Sequence, residues 1–410
     1  MWSATPRIAR TIRPSSRSWR ISRRMASTRT TQSSVKAAYY RGGTSRALIF
    51  QEHELPQDDA ARKELFLQAM GSRDPHGRQL NGMGAGVSSL SKICIVKSLP
   101  ATQDAKAHVD YTFVGMGIEG DETDYMGNCG NMSSAIGPYA FNARLLAHLK
   151  PEDYEQDGEV VVNVHNTNTG VIIRSKFRAE GGQARVDEET AIDGVSGLGT
   201  GVMLDFLRPG GSKTGNMLPT GNVVDKIDGV EVSCVDTTNP MVYVRAVDVG
   251  IEPTILPAAL TELKEKRAAL ESIREQAAVL MGLCKPGEVP PRVIPKVAIV
   301  HPPVEQTSLS GEVIPVEELD LVVRFISDTL PHRAIPLTGA LCTATAAKIK
   351  GSVVERCLTG RLATEGVITI GHPSGRIQVD AKMDENGEVE SASVLRTARR
   401  LMEGQVFWNP

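Results

Sequence analysis

The stretch Cys129-Gly130-Asn131-Met132-Ser133-Ser134-Ala135-Ile136 aligns with Thr338-Gly339-Ala340-Leu341-Cys342-Thr343-Ala344-Thr345, 209 residues further along the chain. Both stretches start at a glycine-bearing turn and continue as small residues of the kind that pack in a central helix. The repeat predicts two similar lobes, each of which presents a helix N-terminus to a shared cleft. Because the match is only eight residues long, chance similarity between two small-residue helices remains the alternative at this point.

Around these two segments, short aliphatic runs alternate with glycine and proline. The chain has 410 residues, of which 38 are Gly and 23 are Pro. Such runs, bounded by turn residues, are typical of strands. We predict strands over 37–50, 91–97, 108–114, 159–163, 170–177, 242–247, 296–301 and 366–370. We predict helices over 133–149 and 257–283, the second one amphipathic and ended by Lys285-Pro286-Gly287.

The composition excludes several classes of protein. Lys and Arg total 46 against 48 Asp and Glu, and aromatic residues make up only 4%. Nucleic-acid binding proteins usually carry a basic excess, and single-strand binders stack bases on aromatic rings. No apolar run reaches the ~18–20 residues of a membrane span. We therefore expect a globular protein with neither nucleic acid nor membrane as a partner.

Charge is distributed unevenly at the N-terminus. Residues 1–36 contain nine basic residues, and the first acidic residue of the chain is Glu52. An Arg- and Ser-rich segment without acidic residues is typical of an organelle transit peptide. We therefore expect import into the mitochondrial matrix. The alternatives are a disordered leader, or translation from Met25 that yields a cytoplasmic protein.

The six cysteines show no metal-binding or disulfide pattern. No Cys-x-x-Cys pair occurs, so the spacing of zinc ligands is absent. A buried free thiol is the expectation for each cysteine. Cys129 differs because it lies where a turn becomes a helix, and the unpaired amides there stabilise a thiolate or hold a carboxylate.

A Gly/Ser-rich loop runs from Asn81 to Lys92 as Asn-Gly-Met-Gly-Ala-Gly-Val-Ser-Ser-Leu-Ser-Lys. Its glycines precede a strand, whereas a dinucleotide-binding loop follows a strand and opens a helix. No Gly-Lys-Ser/Thr follows them either, and the 211–215 segment Gly-Ser-Lys-Thr-Gly only imitates a Walker loop. We predict an anion cradle, with a plain flexible turn as the alternative. Its backbone amides would come from Gly82, Gly84 and Gly86, and its hydroxyls from Ser88, Ser89 and Ser91. Lys92 ends the cradle, and a partly buried amine there could exchange a proton.

Three further turns carry hydrogen-bond donors without acidic groups. They are Arg41-Gly-Gly-Thr-Ser, Asn166-Thr-Asn-Thr-Gly and Pro219-Thr-Gly-Asn, and each alone is an ordinary turn. Together they suit a substrate with two or three carboxylates. The residues predicted to bind it are Thr44, Ser45, Gly86, Ser88, Ser89, Gly130, Asn131, Asn168, Gly221, Asn222, Thr338 and Gly339.

In combination and in this order, these motifs resemble the 2-methylaconitate cis–trans isomerase family, which includes aconitate Δ-isomerases, methylitaconate isomerases and oxalomesaconate tautomerases. The matching motifs extend from about residue 37 to the C-terminus, and they include Gly127-Asn-Cys-Gly-Asn. The resemblance implies the α/β (α+β) fold of diaminopimelate epimerase, with two lobes that each wrap a curved sheet around a central helix. We place the lobes at 37–215 and 216–410, with terminal strands that cross between them.

The resemblance also implies chemistry. Lys92 and Cys129 occupy the positions of the family's proposed acid/base pair, while Thr338 stands where related epimerases have a second cysteine. Cys342 lies one helical turn further and should point elsewhere. These features favour a cofactor- and metal-independent isomerase of an aconitate-like tricarboxylate. The alternatives are a tautomerase of an oxo-dicarboxylic acid and a non-catalytic carboxylate-binding protein that assists an aconitase-type enzyme. A homodimer is a further expectation.

Overall fold

The fold was analysed in a computed structural model, which describes residues 31–102, 106–125, 128–186, 189–291, 294–327, 330–358 and 366–410. Most of the predicted leader, residues 1–30, lies outside these ranges. Within them the strands are β1 (Ser33–Gly42), β2 (Ser45–Gln51), β3 (Lys92–Ser98), β4 (Val109–Met116), β5 (Thr123–Asp124), β6 (Gly158–Asn166), β7 (Ile172–Glu180), β8 (Gln183–Ala184), β9 (Thr200–Leu207), β10 (Asp225–Ile227), β11 (Val230–Thr237), β12 (Asn239–Arg245), β13 (Lys296–His301), β14 (Gln306–Thr307), β15 (Val313–Ile314), β16 (Leu321–Ser327), β17 (Leu330–Pro331), β18 (Ile368–His372), β19 (Gly375–Met383) and β20 (Val389–Trp408). The helices are α1 (Asp59–Met70), α2 (Gly130–Asn142), α3 (Pro151–Tyr154), α4 (Ala246–Val249), α5 (Pro257–Glu262), α6 (Lys264–Leu280) and α7 (Leu337–Lys348).

The two halves of the chain repeat one order of strand pairing. In the first half, β1 pairs antiparallel with β2, β2 parallel with β3, β3 antiparallel with β4, and β4 parallel with β6, after which β7 and β9 follow antiparallel. In the second half, β11, β12, β13, β16, β18, β19 and β20 follow in the same order with the same directions. The two similar lobes predicted from the short repeat are therefore confirmed.

The long terminal strand β20 belongs to both lobes. It pairs with β19 over residues 389–394, with β9 over 391–398 and with β1 over 398–408. Because β20 joins β9 to β1, the first sheet closes into a barrel and keeps no free edge. This strand ties the lobes together beside the ends of their central helices.

Each lobe encloses one helix. In α2 and α7 nearly every residue is buried, and α2 contacts the barrel strands as α7 contacts β11, β12, β19 and β20. A helix that is apolar or small on all sides is expected only where the surroundings cover it completely. One continuous core joins both helices to their sheets, and each fully buried side chain such as Phe141 or Leu341 contributes about 1.5–3 kcal/mol. Helices α1 and α6 cover the outside of the first and second sheet.

The start of the folded body differs from the sequence prediction. Strand β1 begins at Ser33, and Ser33–Lys36 pair with residues 405–408 of β20. The predicted leader boundary at residue 36 is therefore four residues too late, because charge composition does not register strand pairing. The single strand predicted over 37–50 is a hairpin, which turns at Gly43 with φ +50°.

Both predicted long helices also have different bounds. Helix α2 begins at Gly130 rather than at 133, and it ends before Arg144, whose φ of +58° is left-handed. The helix predicted over 257–283 is interrupted at Leu263, where ψ is 65°. Periodicity alone does not register such a break, since Leu260 and Leu270 both still face the core.

Candidate active site

Cys129 caps the N-terminus of α2. Its φ of −116° is extended, and within the described residues no side chain caps this helix end. The amides of Gly130 and Asn131 therefore face no capping side chain and suit a negative charge in front of them, whereas Met132 N donates to the Cys129 carbonyl at 3.0 Å. The thiol is 9% exposed and donates to Ser45 Oγ at 3.7 Å. Gly127, which begins the Gly-Asn-Cys-Gly-Asn turn, lies outside the described residues.

The turn between β1 and β2 lies directly on this helix end. A Cβ at Gly42 would lie 2.6 Å from the Asn131 carbonyl oxygen, and one at Gly43 would lie 2.2 Å from Asn131 Oδ1, so only glycine fits at both positions. Asn131 Nδ2 donates to Thr44 Oγ1 at 3.1 Å. The structure thus brings Thr44, Ser45, Asn131 and Cys129 together.

Lys92 begins β3, a strand that contacts α2. Its side chain is largely buried, and Nζ lies 4.9 Å from the centroid of the Phe113 ring, a favourable cation–π contact. Two residues further on the same face, the Cys94 thiol donates to the Tyr111 hydroxyl at 3.9 Å. Burial raises the pKa of Cys94, as does the charge of Cys129, whereas Tyr111 and Lys92 act in the opposite direction. Lys92 and Cys129 therefore both act on one buried thiol, which stays protonated beneath them.

The N-terminus of α7 meets that of α2. A Cβ at Gly130 would lie 2.4 Å from Leu337 Cδ2, which shows that the two helix ends touch. Thr338 and Gly339 follow in the first turn of α7. Thr338 Oγ1 accepts from Asn239 Nδ2 at 3.2 Å, and its carbonyl accepts from Thr238 Oγ1 at 2.9 Å. The two touching helix ends therefore carry a thiol on one side and a hydrogen-bonded hydroxyl on the other.

Cys342 lies in the core, as the sequence predicts. Its thiol is fully buried and donates to the Val235 carbonyl at 3.6 Å. Burial raises the pKa of Cys342 to about 12, so it stays a neutral thiol at physiological pH. Cys342 does not replace the second cysteine of the epimerases.

The Gly/Ser-rich loop uses its glycines for packing. Gly84 N donates to the Met70 carbonyl at 3.1 Å, and Gly86 N donates to Gln79 Oε1 at 3.1 Å. A Cβ at Gly86 would lie 2.2 Å from the Gly77 carbonyl oxygen. The predicted donor at Gly86 is therefore already bonded within the protein. Ser88 and Ser89 form an exposed 3₁₀ turn just before Lys92.

Two other predicted turns make internal hydrogen bonds. Asn168 donates both N–H groups of its side chain, to the carbonyls of Phe113 at 2.9 Å and Tyr125 at 2.8 Å. Asn222 Nδ2 donates to Asp225 Oδ1 at 2.8 Å in a turn that also contains Gly221. Asn168 therefore has no side-chain N–H left for a substrate in this conformation, whereas Asn222 uses one of its two side-chain N–H groups within its own turn.

Sequence reasoning missed how the residues around the pair are connected. Phe113, whose ring contacts Lys92, belongs to no motif. Asn128 and Asn166 lie in turns that the sequence singled out, but the sequence does not show that they bond to each other. The alternation of buried Tyr111 and Phe113 along β4 is the one signal that places the ring inside.

The described residues hold no group of three or more His, Cys, Asp or Glu side chains arranged to bind a metal ion. In the same part of the chain, no helix has both the length and the apolarity to cross a membrane.

Known proteins are similar to this chain in sequence and in structure over most of its length. A family model described as PrpF protein matches residues 32–409. The 3-methylitaconate isomerase of Eubacterium barkeri is 34% identical over 384 residues, 92% of this chain and 97% of that relative. The 2-methyl-aconitate isomerase of Shewanella oneidensis is 33% identical over 392 residues, again 92% and 97% of the two chains. The crystal structure of methylitaconate-delta-isomerase matches with a TM-score of 0.79 at 33% identity, over 92% of this chain and 96% of that one.

The likeness extends beyond the two helix ends to nearly the whole length of both chains. The family match begins at residue 32, one residue before β1, and it ends one residue after β20. The first repeat of the fold, the second repeat and the strand that joins them are all included. This chain belongs to the PrpF protein family.

Proposed function

We propose that this protein isomerises an aconitate-like tricarboxylate, such as 2-methylaconitate or aconitate, by moving a proton between two carbons. The observation that carries the proposal is the meeting of the α2 and α7 N-termini, with Cys129 at one of them and Lys92 at the start of β3, which contacts α2. Two helix ends supply several amides for carboxylates, and the pair supplies two proton carriers.

The reaction needs two proton transfers and an anion-stabilising site. One member of the pair removes a proton from the CH₂ or CH next to the unsaturated acid. The electron pair of that C–H bond spreads over an extended dienolate, which the helix-end amides and hydroxyls stabilise. A proton then returns either at the far carbon, which shifts the double bond, or at the original carbon after rotation within the dienolate, which inverts the geometry of the double bond. No redox change occurs in either case. Each proton carrier contributes ~10²–10⁴-fold in such a role.

The unequal helix ends favour this reaction over epimerisation. An epimerase places matched acids on opposite faces of one carbon, whereas here the position opposite Cys129 holds Thr338, a far weaker acid. A thiol and an amine suit removal and return at different carbons. The tautomerase reaction needs the same transfers, so it is distinguished by the substrate used.

A D₂O experiment tests the proposal. The purified protein is incubated with cis-aconitate, with 2-methylaconitate and with an unsaturated oxo-dicarboxylate, and proton NMR follows each compound. We expect isomerisation of a tricarboxylate, with deuterium at the carbon that accepts the returning proton. Turnover of the oxo-acid alone would establish the tautomerase instead.

Variants then assign the chemistry to the pair. Lys92→Ala and Cys129→Ser should each lower turnover by at least ~10²-fold in a folded protein. Lys97→Ala is the matched control on the same strand, because Lys97 is exposed and paired with Glu52 at 2.9 Å. Near-normal turnover by both pair variants would remove this mechanism and favour a carboxylate-binding accessory protein.

We further propose that the protein resides in the mitochondrial matrix. The Arg-rich, acid-free segment of residues 1–36 supports this location. In the matrix the protein would meet the acids of the citrate cycle or the methylcitrate cycle, which suits a tricarboxylate substrate. A homodimer remains a prediction, and sedimentation of the purified chain tests it.

A further inference from the structure

The loop between β6 and β7, Asn166-Thr-Asn-Thr-Gly, reaches the surroundings of both proposed proton carriers. On the lysine side, Asn168 Oδ1 accepts from Phe113 N at 2.8 Å, while Asn168 Nδ2 donates to Phe113 O at 2.9 Å. One amide side chain thus holds both backbone groups of the residue whose ring contacts Lys92 Nζ. The position of the Lys92 ammonium depends on that ring.

On the cysteine side, the same loop holds the residue just before Cys129. Asn166 is fully buried, and its Nδ2 donates to Asn128 Oδ1 at 2.9 Å. Asn166 Oδ1 meanwhile accepts from the backbone amides of Asn168 at 3.0 Å and Thr169 at 3.1 Å. The amide that holds Asn128 therefore also fixes the shape of the loop.

The loop is itself anchored to β4. Thr167 N donates to the Tyr111 carbonyl at 2.9 Å, and the hydroxyls of Thr167 and Thr112 lie 2.6 Å apart. Gly170 N donates to the Asn166 carbonyl at 2.8 Å and closes the turn. With its backbone and both asparagine side chains bonded in this way, the loop is a rigid support.

We propose that Asn168 and Asn166 are positioning residues, which hold Lys92 through Phe113 and Cys129 through Asn128 and so set the geometry of the pair. This inference rests on the proposed function, in which Lys92 and Cys129 carry the proton. The sequence suggested that the turn holds an anion, but the side-chain donors that such a role needs are bonded within the protein.

Positioning predicts a loss of turnover with little loss of binding. A displacement of a reacting group by 1 Å costs on the order of 10²-fold in rate, so Asn168→Ala and Asn128→Ala should each lower kcat by ~10–10²-fold. KM should stay within about 3-fold, because both side chains bond to neighbouring residues of the protein in the positioning role. Asn128 is chosen over Asn166 because removing Asn166 would also release the loop.

Phe113 provides the rescue and the double-variant cycle. Phe113→Leu removes the aromatic face and should lower kcat as Asn168→Ala does, whereas Phe113→Tyr retains the face and should keep most of the turnover. If Asn168 acts through Phe113, the Asn168→Ala/Phe113→Leu double variant loses no more than the worse single variant. If the kcat loss of the double variant equals the product of the two single-variant losses, this link is overturned. Thr112→Val is the control, since it removes one loop contact that reaches neither carrier.

Chemical labelling tests the inference without any turnover. Peptide mass spectrometry would follow reductive methylation of Lys92, with exposed Lys36 as internal reference, and alkylation of Cys129 by iodoacetamide. Asn168→Ala should change the labelling of Lys92 alone, and Asn128→Ala that of Cys129 alone. Equal changes at both sites, or none, would overturn the positioning roles. If the wild-type chain isomerises no acid while this selectivity holds, the proposed function fails and the support by the loop stands.

Discussion

Gly130→Ala tests how closely the two helix ends must approach. The new Cβ would lie 2.4 Å from Leu337 Cδ2 and 3.1 Å from Leu337 Cβ, against about 3.4–4 Å for ordinary contact. Rotation of the Leu337 side chain relieves the first contact but not the second, and its surroundings are packed, since Leu337 is 3% exposed. The helix ends must therefore move apart by several tenths of an ångström to about 1 Å.

The expected magnitude differs between activity and stability. Displacement of this size lowers kcat/KM by ~10–10²-fold. Overpacking of the core lowers the free energy of unfolding by only about 1–3 kcal/mol. Steady-state kinetics and urea unfolding of the same preparation measure the two effects. Gly404→Ala is the control, since a Cβ there meets nothing within 4 Å.

A compensating change makes this prediction refutable. Leu337→Ala in the Gly130→Ala background removes Leu337 Cδ2 and Cγ, at 2.4 and 3.2 Å from the new Cβ, and leaves only the 3.1 Å contact with Leu337 Cβ. It should therefore restore part of the activity. The same change costs about 2–5 kcal/mol of stability by itself, so the double variant should be more active and less stable than Gly130→Ala alone. If the double variant were both less stable and less active than Gly130→Ala alone, the separation of the helix ends would not control catalysis.

Three further predictions concern other parts of the chain. A fluorescent fusion of residues 1–36 should enter mitochondria, and a fusion that stays in the cytosol would contradict the proposed location. Burial, with the nearby arginines acting in the same direction, lowers the pKa of His372 to about 3, so the folded protein keeps it neutral where the unfolded chain binds a proton. Stability should therefore fall as pH drops from about 6.5 towards 3, by up to ~1.4 kcal/mol per pH unit for this proton, and His372→Asn should flatten the slope in urea titrations. Thr338→Cys should not create α-proton exchange of diaminopimelate in D₂O. If this variant exchanged that proton as fast as a diaminopimelate epimerase does, the assignment to unsaturated acids would be contradicted.

The parts of the fold that could be predicted carry their information locally. The two repeats that start at Cys129 and at Thr338 identify two helix N-termini, because each begins with a glycine-bearing turn that runs into a helix. Lys92 is placed by the strand that follows it. These features predict the two lobes and the proposed pair, because a helix end and a strand start depend on a few adjacent residues.

The rest depends on contacts between distant segments. Asn168 lies 55 residues from Phe113 and Asn166 lies 38 from Asn128, so only the folded chain shows that they are partners. The glycines of the 82–86 loop looked like ligand contacts, because the sequence does not show that α1 lies against them. The family resemblance implies that terminal strands cross between the lobes, but the residues of β20 themselves predicted no strand, because its buried face changes along its length.

The most direct test of the central claim is deuterium incorporation during isomerisation of 2-methylaconitate and cis-aconitate in D₂O. The wild-type protein should convert at least one of these acids and place deuterium at the carbon that receives the returning proton. Lys92→Ala and Cys129→Ser should leave both acids unchanged and undeuterated, while Lys97→Ala behaves as wild type. Conversion by the wild-type protein without deuterium incorporation would contradict proton transfer by Lys92 and Cys129. Conversion by both pair variants at the wild-type rate would contradict it as well.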